Sequence, residues 1–314
     1  MIIRSAAGVK RSSAAQRVTT GGGIDESDPA PWHDLQELTH GEFAALTDFV
    51  RAHTGIALSQ AKRSMIQARL QKRLRALSMQ SFSEYCAYLF SPEGTKQELG
   101  AFINVVTTNK TDFFREPHHF EYLVRVALPW LETHGMLHHR LLRVWSAACS
   151  SGQEPYTLGM VLSEYGEQSR GFTWSVLGTD ISTKVLESAI RAIYREEDVA
   201  PIPLATRKKF LLRGKRKLQG LVRIEPKLCA HVTFRRLNFM DKVYSVRGPF
   251  EIIFFRNAII YFDKATQYAI LSRLTEHLVT GGFLFLGHSE SLNGMTLPYV
   301  SVATTVYQKT GTMS

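Results

Sequence analysis

The residues best suited to chemistry in this chain stand singly, each just after a short apolar run. Gly152 ends the turn Ser150-Ser151-Gly152 behind the run 144–148, and Asp180 ends Gly178-Thr179-Asp180 behind the run 172–177. Asn238 follows 232–237, Asn257 follows 250–255 and His288 follows 283–286. Small residues let backbone come close to a ligand. An acid at the end of the second strand, 28 positions past Gly152 (180 less 152), stands where a carboxylate accepts two hydroxyl hydrogen bonds from a ribose. The alternative for Asp180 is a neighbour of the helix cap at Ser182. A full G-x-G-x-x-G is absent, which places hydride transfer behind other uses of a nucleotide. The pairs His118-His119 and His138-His139 are adjacent. Neighbours on a helix or strand point apart, so neither pair is expected to share a metal, and no metal site is expected. Cys149 reads as a small packed side chain rather than a nucleophile.

These residues need a scaffold that brings strand ends together. Strand, small-residue turn and helix recur: 143–155 leads into a helix opened by Pro155, and 172–180 into one capped by Ser182. FEIIFF at 250–255 is almost wholly apolar, as a central parallel strand should be. The alternating tail 299–308 suits closing antiparallel strands. The expected fold is therefore α/β, with a mostly parallel sheet whose ligand edge lies at the carboxyl ends of the strands.

Two regions break that alternation. Residues 31–105 read as a helical domain. Thr39 with Glu42, Ser81 with Glu84 and Thr95 with Glu98 fit capping boxes, and Ile66, Leu70, Leu74 and Leu77 form one stripe. That second helix is strongly basic, with Lys62, Arg63, Arg69, Lys72, Arg73 and Arg75 and almost no interleaved acid. It is either a solvated face or a dock for an acidic partner helix. Residues 106–116 (with TTNKTDFFRE) join the two parts, and their paired Phe residues exceed what a plain linker needs. Residues 117–314 form the α/β domain, interrupted at about 200–230 by a basic, proline-containing insert with a small antiparallel sheet.

The chain has 314 residues, 44% of them hydrophobic, and a formal charge of +10. The charge favours an acidic partner without naming it. No apolar run approaches the roughly 18 residues of a membrane span. Three separated cysteines argue for a reducing compartment. Residues 1–30, rich in Ser, Ala, Gly and Arg, read as a disordered tail and lack a signal-peptide core.

Together NKTDFFRE (109–116), RVWSAACSSGQEPY (143–156), LGTDIS (177–182), FEIIFFRNAIIYFD (250–263) and GGFLFLGHSES (281–291) resemble the CheR family, from about Leu35 to Gln308. Those are S-adenosylmethionine-dependent methyltransferases that esterify glutamates on chemotaxis receptors. The resemblance implies a class I, Rossmann-like methyltransferase domain behind a helical domain, a cytoplasmic location, and S-adenosylmethionine as methyl donor. It implies that Asn109, Thr111, Arg115, Glu154, Asp180, Asn238, Phe239, Asn257 and Ala258 bind the cofactor. Arg115 and Tyr261 would orient the substrate carboxylate. Lys62, Arg63, Arg69, Lys72 and Arg73 would meet the receptor's cytoplasmic helical bundle. Gln153 stands where relatives often carry an acid. The insert tip 215–219 lacks the interior glycine of relatives that grip a receptor's carboxy-terminal pentapeptide, which leaves that tether open. Glutamate, with a pKa of about 4.3, is ionised at neutral pH and needs no general base. A nucleic-acid methyltransferase would need a stacking surface for a base. A non-catalytic sensor of cofactor or receptor is the other rival.

Overall fold

The computed structural model describes residues 37–137, 141–169 and 171–311; the tail at 1–30 lies outside them. Four helices come first: α1 (His40–Thr54), α2 (Arg63–Ala76), α3 (Phe82–Phe90) and α4 (Pro92–Val106). The Thr39 hydroxyl accepts from the Glu42 N–H while the Glu42 carboxylate accepts from the Thr39 N–H, so the expected capping box forms. Ile66, Leu70 and Leu74 are fully buried at helical spacing, so tertiary packing holds α2 despite its charge.

One expectation for this unit fails. Thr95 and Glu98 form no cap, because α4 begins earlier, at Pro92 behind Ser91. Glu98 is instead buried and accepts from Arg73 Nε (2.5 Å), Arg73 Nη2 (2.6 Å) and the Tyr85 hydroxyl (3.1 Å). The basic face of α2 is also largely spent inside the protein. Arg69 donates to the carbonyls of Val105 and Thr107, both at 2.9 Å, and Arg63 donates to Leu38 O. Of the five cations assigned to a partner, Arg63, Arg69 and Arg73 hold the helices together. The helical wheel shows a charge but not the group it will meet from another helix.

Helix α5 (His118–Tyr122) runs through a π-helical turn into α6 (Leu128–Thr133). The main sheet holds β1 (Leu141–Ala147), β2 (Thr173–Asp180), β6 (Val232–Arg236), β7 (Phe250–Phe255), β8 (Leu278–Leu286), β9 (Tyr299–Ala303) and β10 (Val306–Lys309). Their order is β6-β2-β1-β7-β8-β10-β9, parallel through β8 and closed by two antiparallel strands. Helices α7 (Gln153–Gly166), α8 (Thr183–Arg191) and α11 (Lys264–His277) connect strands. Side chains of β7 are buried on both faces: Ile252 and Phe254 in one apolar layer, Ile253 and Phe255 in the other.

A second sheet, β3 (Ile193–Arg195), β5 (Leu221–Ile224) and β4 (Leu211–Arg213), is antiparallel in the order β3-β5-β4. Helices α9 (Leu204–Phe210) and α10 (Pro226–Cys229) accompany it. The insert starts at Ile193, earlier than about residue 200, because its first strand has only three residues and no turn signal before it.

Candidate functional site

The turn after β1 is tight. Ala148, Ser150 and Gly152 all adopt positive φ (65°, 49° and 95°). A Cβ on Gly152 would lie 2.9 Å from both Ala189 Cβ and the Tyr194 hydroxyl, so the turn has room only for glycine. The next strand fixes this turn. The Cys149 N–H donates to Thr179 O (2.8 Å), and the Ser150 N–H donates to Asp180 Oδ2 (2.9 Å). Ser182 N–H donates to the other carboxylate oxygen at 3.0 Å. Burial pushes the Asp180 carboxyl up, against these backbone donors. Two further acceptor positions on that carboxylate remain for a ligand.

These strand ends border one cavity. Asn109, Thr111, Arg115, Glu154, Asp180, Asn238, Phe239, Asn257 and Ala258 all line it, with Tyr261 and Lys62. They come from five separate stretches of the α/β domain and its linker, with Lys62 from the helical unit. Of the strand-end residues, Gly152 and His288 do not line it; His288 lies outside altogether. Its side chain is 70% exposed, and Nδ1 lies 3.3 Å from Glu116 Oε1 outside the cavity lining. Arg63, Arg69, Lys72 and Arg73 do not line it either.

The helical unit forms part of the wall. Thr54, Ile56 and Lys62 face the cavity. The Asn238 amide donates to His53 O (2.7 Å), and Arg51 pairs with Asp263 at 2.7 Å. Lys62 Nζ sits 4.8 Å above the Tyr261 ring, which places a cation and a phenol side by side on the wall. The linker is fixed as well: the Ser150 hydroxyl donates to Asn109 O (2.8 Å), and Arg115 Nη1 donates to Lys110 O (3.1 Å).

Sequence reasoning missed the polar network beneath this wall. Arg256, 2% exposed at its side chain, donates through Nη1 to Glu154 Oε2 (3.2 Å) and through Nη2 to Arg115 O (2.5 Å). Nη2 is also 3.2 Å from Glu116 Oε2, and the guanidinium lies over the rings of Phe120 and Phe254. Glu116 in turn accepts from the Asn257 amide (3.1 Å). Burial alone would raise the Glu116 carboxyl, but Arg256, Asn257 and His288 outweigh it and hold it down at about 2. Burial raises Glu154, opposed by Arg256 and the Ser146 hydroxyl. Glu290 accepts from the N–H groups of Gly287, Asn257 and Ile259, which sets the left-handed turn at Asn257 (φ 57°). A cation directly after FEIIFF and acids in FFRE and HSES were visible signals, since a buried strand that ends on a charge needs a partner for it.

Of the two adjacent histidine pairs, 138–139 lies outside the described residues, and His118 and His119 do not diverge as expected. The opening turn of α5 sets the rings of His118 and His119 4.2 Å apart, and with Glu116 their ligand atoms fall within 4.8 Å. The cation beside that carboxylate is Arg256.

Residues 109–308 match the family model described as CheR methyltransferase, SAM binding domain, and residues 41–107 match CheR methyltransferase, all-alpha domain. The chain belongs to the CheR methyltransferase family. It is 38% identical to a chemotaxis protein methyltransferase of Salmonella typhimurium over 270 residues, 86% of this chain and 90% of that one. It is 39% identical to one from Escherichia coli (86% and 91%) and 40% identical to one from Klebsiella aerogenes (86% and 90%). This CheR protein is a methyltransferase that uses S-adenosylmethionine, and its donor set fits that molecule. The cavity offers a buried carboxylate with spare acceptor positions for a diol, a second carboxylate for an ammonium group, and apolar Phe239 and Ala258 for a flat base.

Proposed function

We propose that this protein methylates glutamate side chains on the cytoplasmic helical bundle of a chemoreceptor. The observation that carries the reading is the single cavity that gathers the nine cofactor candidates and sets Lys62, Arg115 and Tyr261 around the same space. When bound, S-adenosylmethionine supplies a methyl group made electrophilic by a sulfonium. The protein's part is to bind, orient and exclude water. Asp180 takes the ribose hydroxyls, Glu154 faces the amino group, and Asn257 with Ala258 flanks the adenosine side. Arg115 and Tyr261 orient the acceptor carboxylate. An arginine that aligned it fully would also quench its nucleophilicity. Tethering of Arg115 by Lys110 O leaves a partial hold.

An ionised carboxylate is its own nucleophile, so positioning and desolvation of two opposite charges supply the rate. The names of the relatives support a protein substrate in chemotaxis, and the net charge of +10 suits an acidic helical bundle. Among the described residues no helix is long and apolar enough to cross a membrane. The three cysteines are free.

The test is incubation of the protein with labelled S-adenosylmethionine and a purified receptor cytoplasmic segment. Base-labile label that mass spectrometry maps to glutamate methyl ester is expected. Label that resists base, or that appears only on added RNA, would refute the reading.

A further inference from the structure

A second polar cleft lies on the main sheet, and no residue that lines it also lines the methyl-transfer cavity. It is bounded by Arg143, Arg235 and Arg247, with Ser175, Thr233 and Phe250 among its remaining walls. Arg143 sits on β1 directly opposite Ser175 on β2, and Thr233 on β6 pairs with Leu177 of β2. Side chains at i and i+2 share a face, so Arg143, Ser175, Thr233 and Arg235 project from the same side of three neighbouring strands. Further up β1 that face is packed with Trp145 and Ala147. Here it turns polar and basic.

Among the described residues no Asp or Glu lines the cleft, although the Glu251 carboxylate beside it accepts from the Arg143 N–H (2.7 Å). Arg143 Nη1 is anchored on Gly248 O at 3.3 Å, which draws it toward the segment that carries Arg247. Arg235 and Arg247 are exposed and have no hydrogen-bond or ion-pair partner among the described residues. Three like charges around one cleft repel unless an anion joins them. Guanidinium forks with neighbouring hydroxyls are the donor set that recognises phosphoryl oxygens.

We propose that this cleft binds a small ligand carrying adjacent phosphoryl groups, as in pyrophosphate or a nucleoside diphosphate. Arg143 and Arg247 grip one phosphoryl group and Arg235 the other, with the Ser175 and Thr233 hydroxyls as further donors. The site is separate from the methyl donor, so it holds whatever substrate the active site takes.

The experiment is calorimetric titration of the full chain with pyrophosphate at constant ionic strength, in the presence of saturating S-adenosylhomocysteine to occupy the methyl-transfer cavity. Saturable binding of one equivalent is expected. Arg235→Ala and Arg247→Ala should each weaken it about tenfold, the loss of one or two charge-assisted hydrogen bonds. Affinity for S-adenosylhomocysteine, titrated separately, should stay unchanged and so report an intact fold. A parallel titration with ADP shows whether a base adds to the affinity. Flotation with phosphatidylcholine vesicles that contain phosphatidic acid distinguishes a lipid headgroup from a free phosphate. No saturable heat with pyrophosphate or ADP, or binding that both variants retain, would overturn the proposal. The arginine stems would then only cover the sheet face. Binding to the vesicles alone would overturn it equally.

Discussion

Among the described residues arginine meets buried carboxylate in two clusters, and the two are finished differently. In the helical unit, Arg73 grips both oxygens of Glu98, and Tyr85 adds its hydroxyl. Neither Arg73 nor Glu98 leaves a buried polar atom without a hydrogen bond. Under the cavity, Arg256 spreads over Glu154, Glu116 and the Arg115 carbonyl. There Arg256 Nε, Glu116 Oε2 and His119 Nδ1 are buried without a hydrogen bond. A closed polar network fixes a shape. One with spare capacity holds groups whose partners change, and it carries a cost that packing elsewhere offsets.

The largest expected effect comes from opening the closed cluster. Arg73→Ala leaves Glu98 buried and unpaired, and should cost about 3 kcal/mol or more of stability. Denaturant unfolding measures this, and titration with S-adenosylhomocysteine at low denaturant should show nearly unchanged affinity. If Arg73→Ala kept full stability but abolished receptor methylation, Arg73 would belong to the docking face after all. Such a result would erase the distinction between the clusters.

The converse substitution lies at the cavity. Asp180→Ala should weaken S-adenosylhomocysteine binding about a hundredfold, the worth of two hydrogen bonds to a charged acceptor. Stability should fall less than with Arg73→Ala, because the carboxylate that departs was itself raised by burial. Calorimetric titration decides it, and an unchanged affinity would remove Asp180 from the site.

The difference between the clusters also marks what could be read from sequence. Asp180, Asn238 and Asn257 were legible because each punctuates the end of an apolar run, a local pattern that the parallel sheet converts into one rim. The capping box of α1 was legible for the same reason, since its partners are three residues apart. Arg73 and Glu98 are 25 residues apart, and nothing local pairs them. Sequence therefore offered a solvated stripe and a false capping box. Arg256 and Glu116 are 140 residues apart (256 less 116). Their charges were in plain view inside FFRN and FFRE, yet only the fold shows that they share one pocket. Position along a strand was readable; pairing between distant strands was not.

The smallest effect sharpens the comparison by pH. His119 is fully buried, with Nε2 held 2.9 Å from the Thr305 hydroxyl. Burial first, then Arg256 and His118, lowers its pKa from 6.5 to about 3. A histidine lowered in the folded state gives full stability above its unfolded pKa. Stability then falls as pH drops below about 6.5, because the unfolded chain takes the proton first. Glu116, depressed from 4.5 to about 2, has the same sign and adds its loss only below about pH 4.5. Between about pH 7.5 and 5.5, His119 should therefore remove about 1 kcal/mol, and His277, which burial also lowers, adds to the loss with the same sign. His119→Gln should flatten that part of the profile, measured by urea unfolding at each pH, and leave the loss below about pH 4.5 in place. A slope between pH 7.5 and 5.5 that the substitution does not change would mean that another histidine carries it, and that the open cluster is not strained in the way its unpaired atoms indicate.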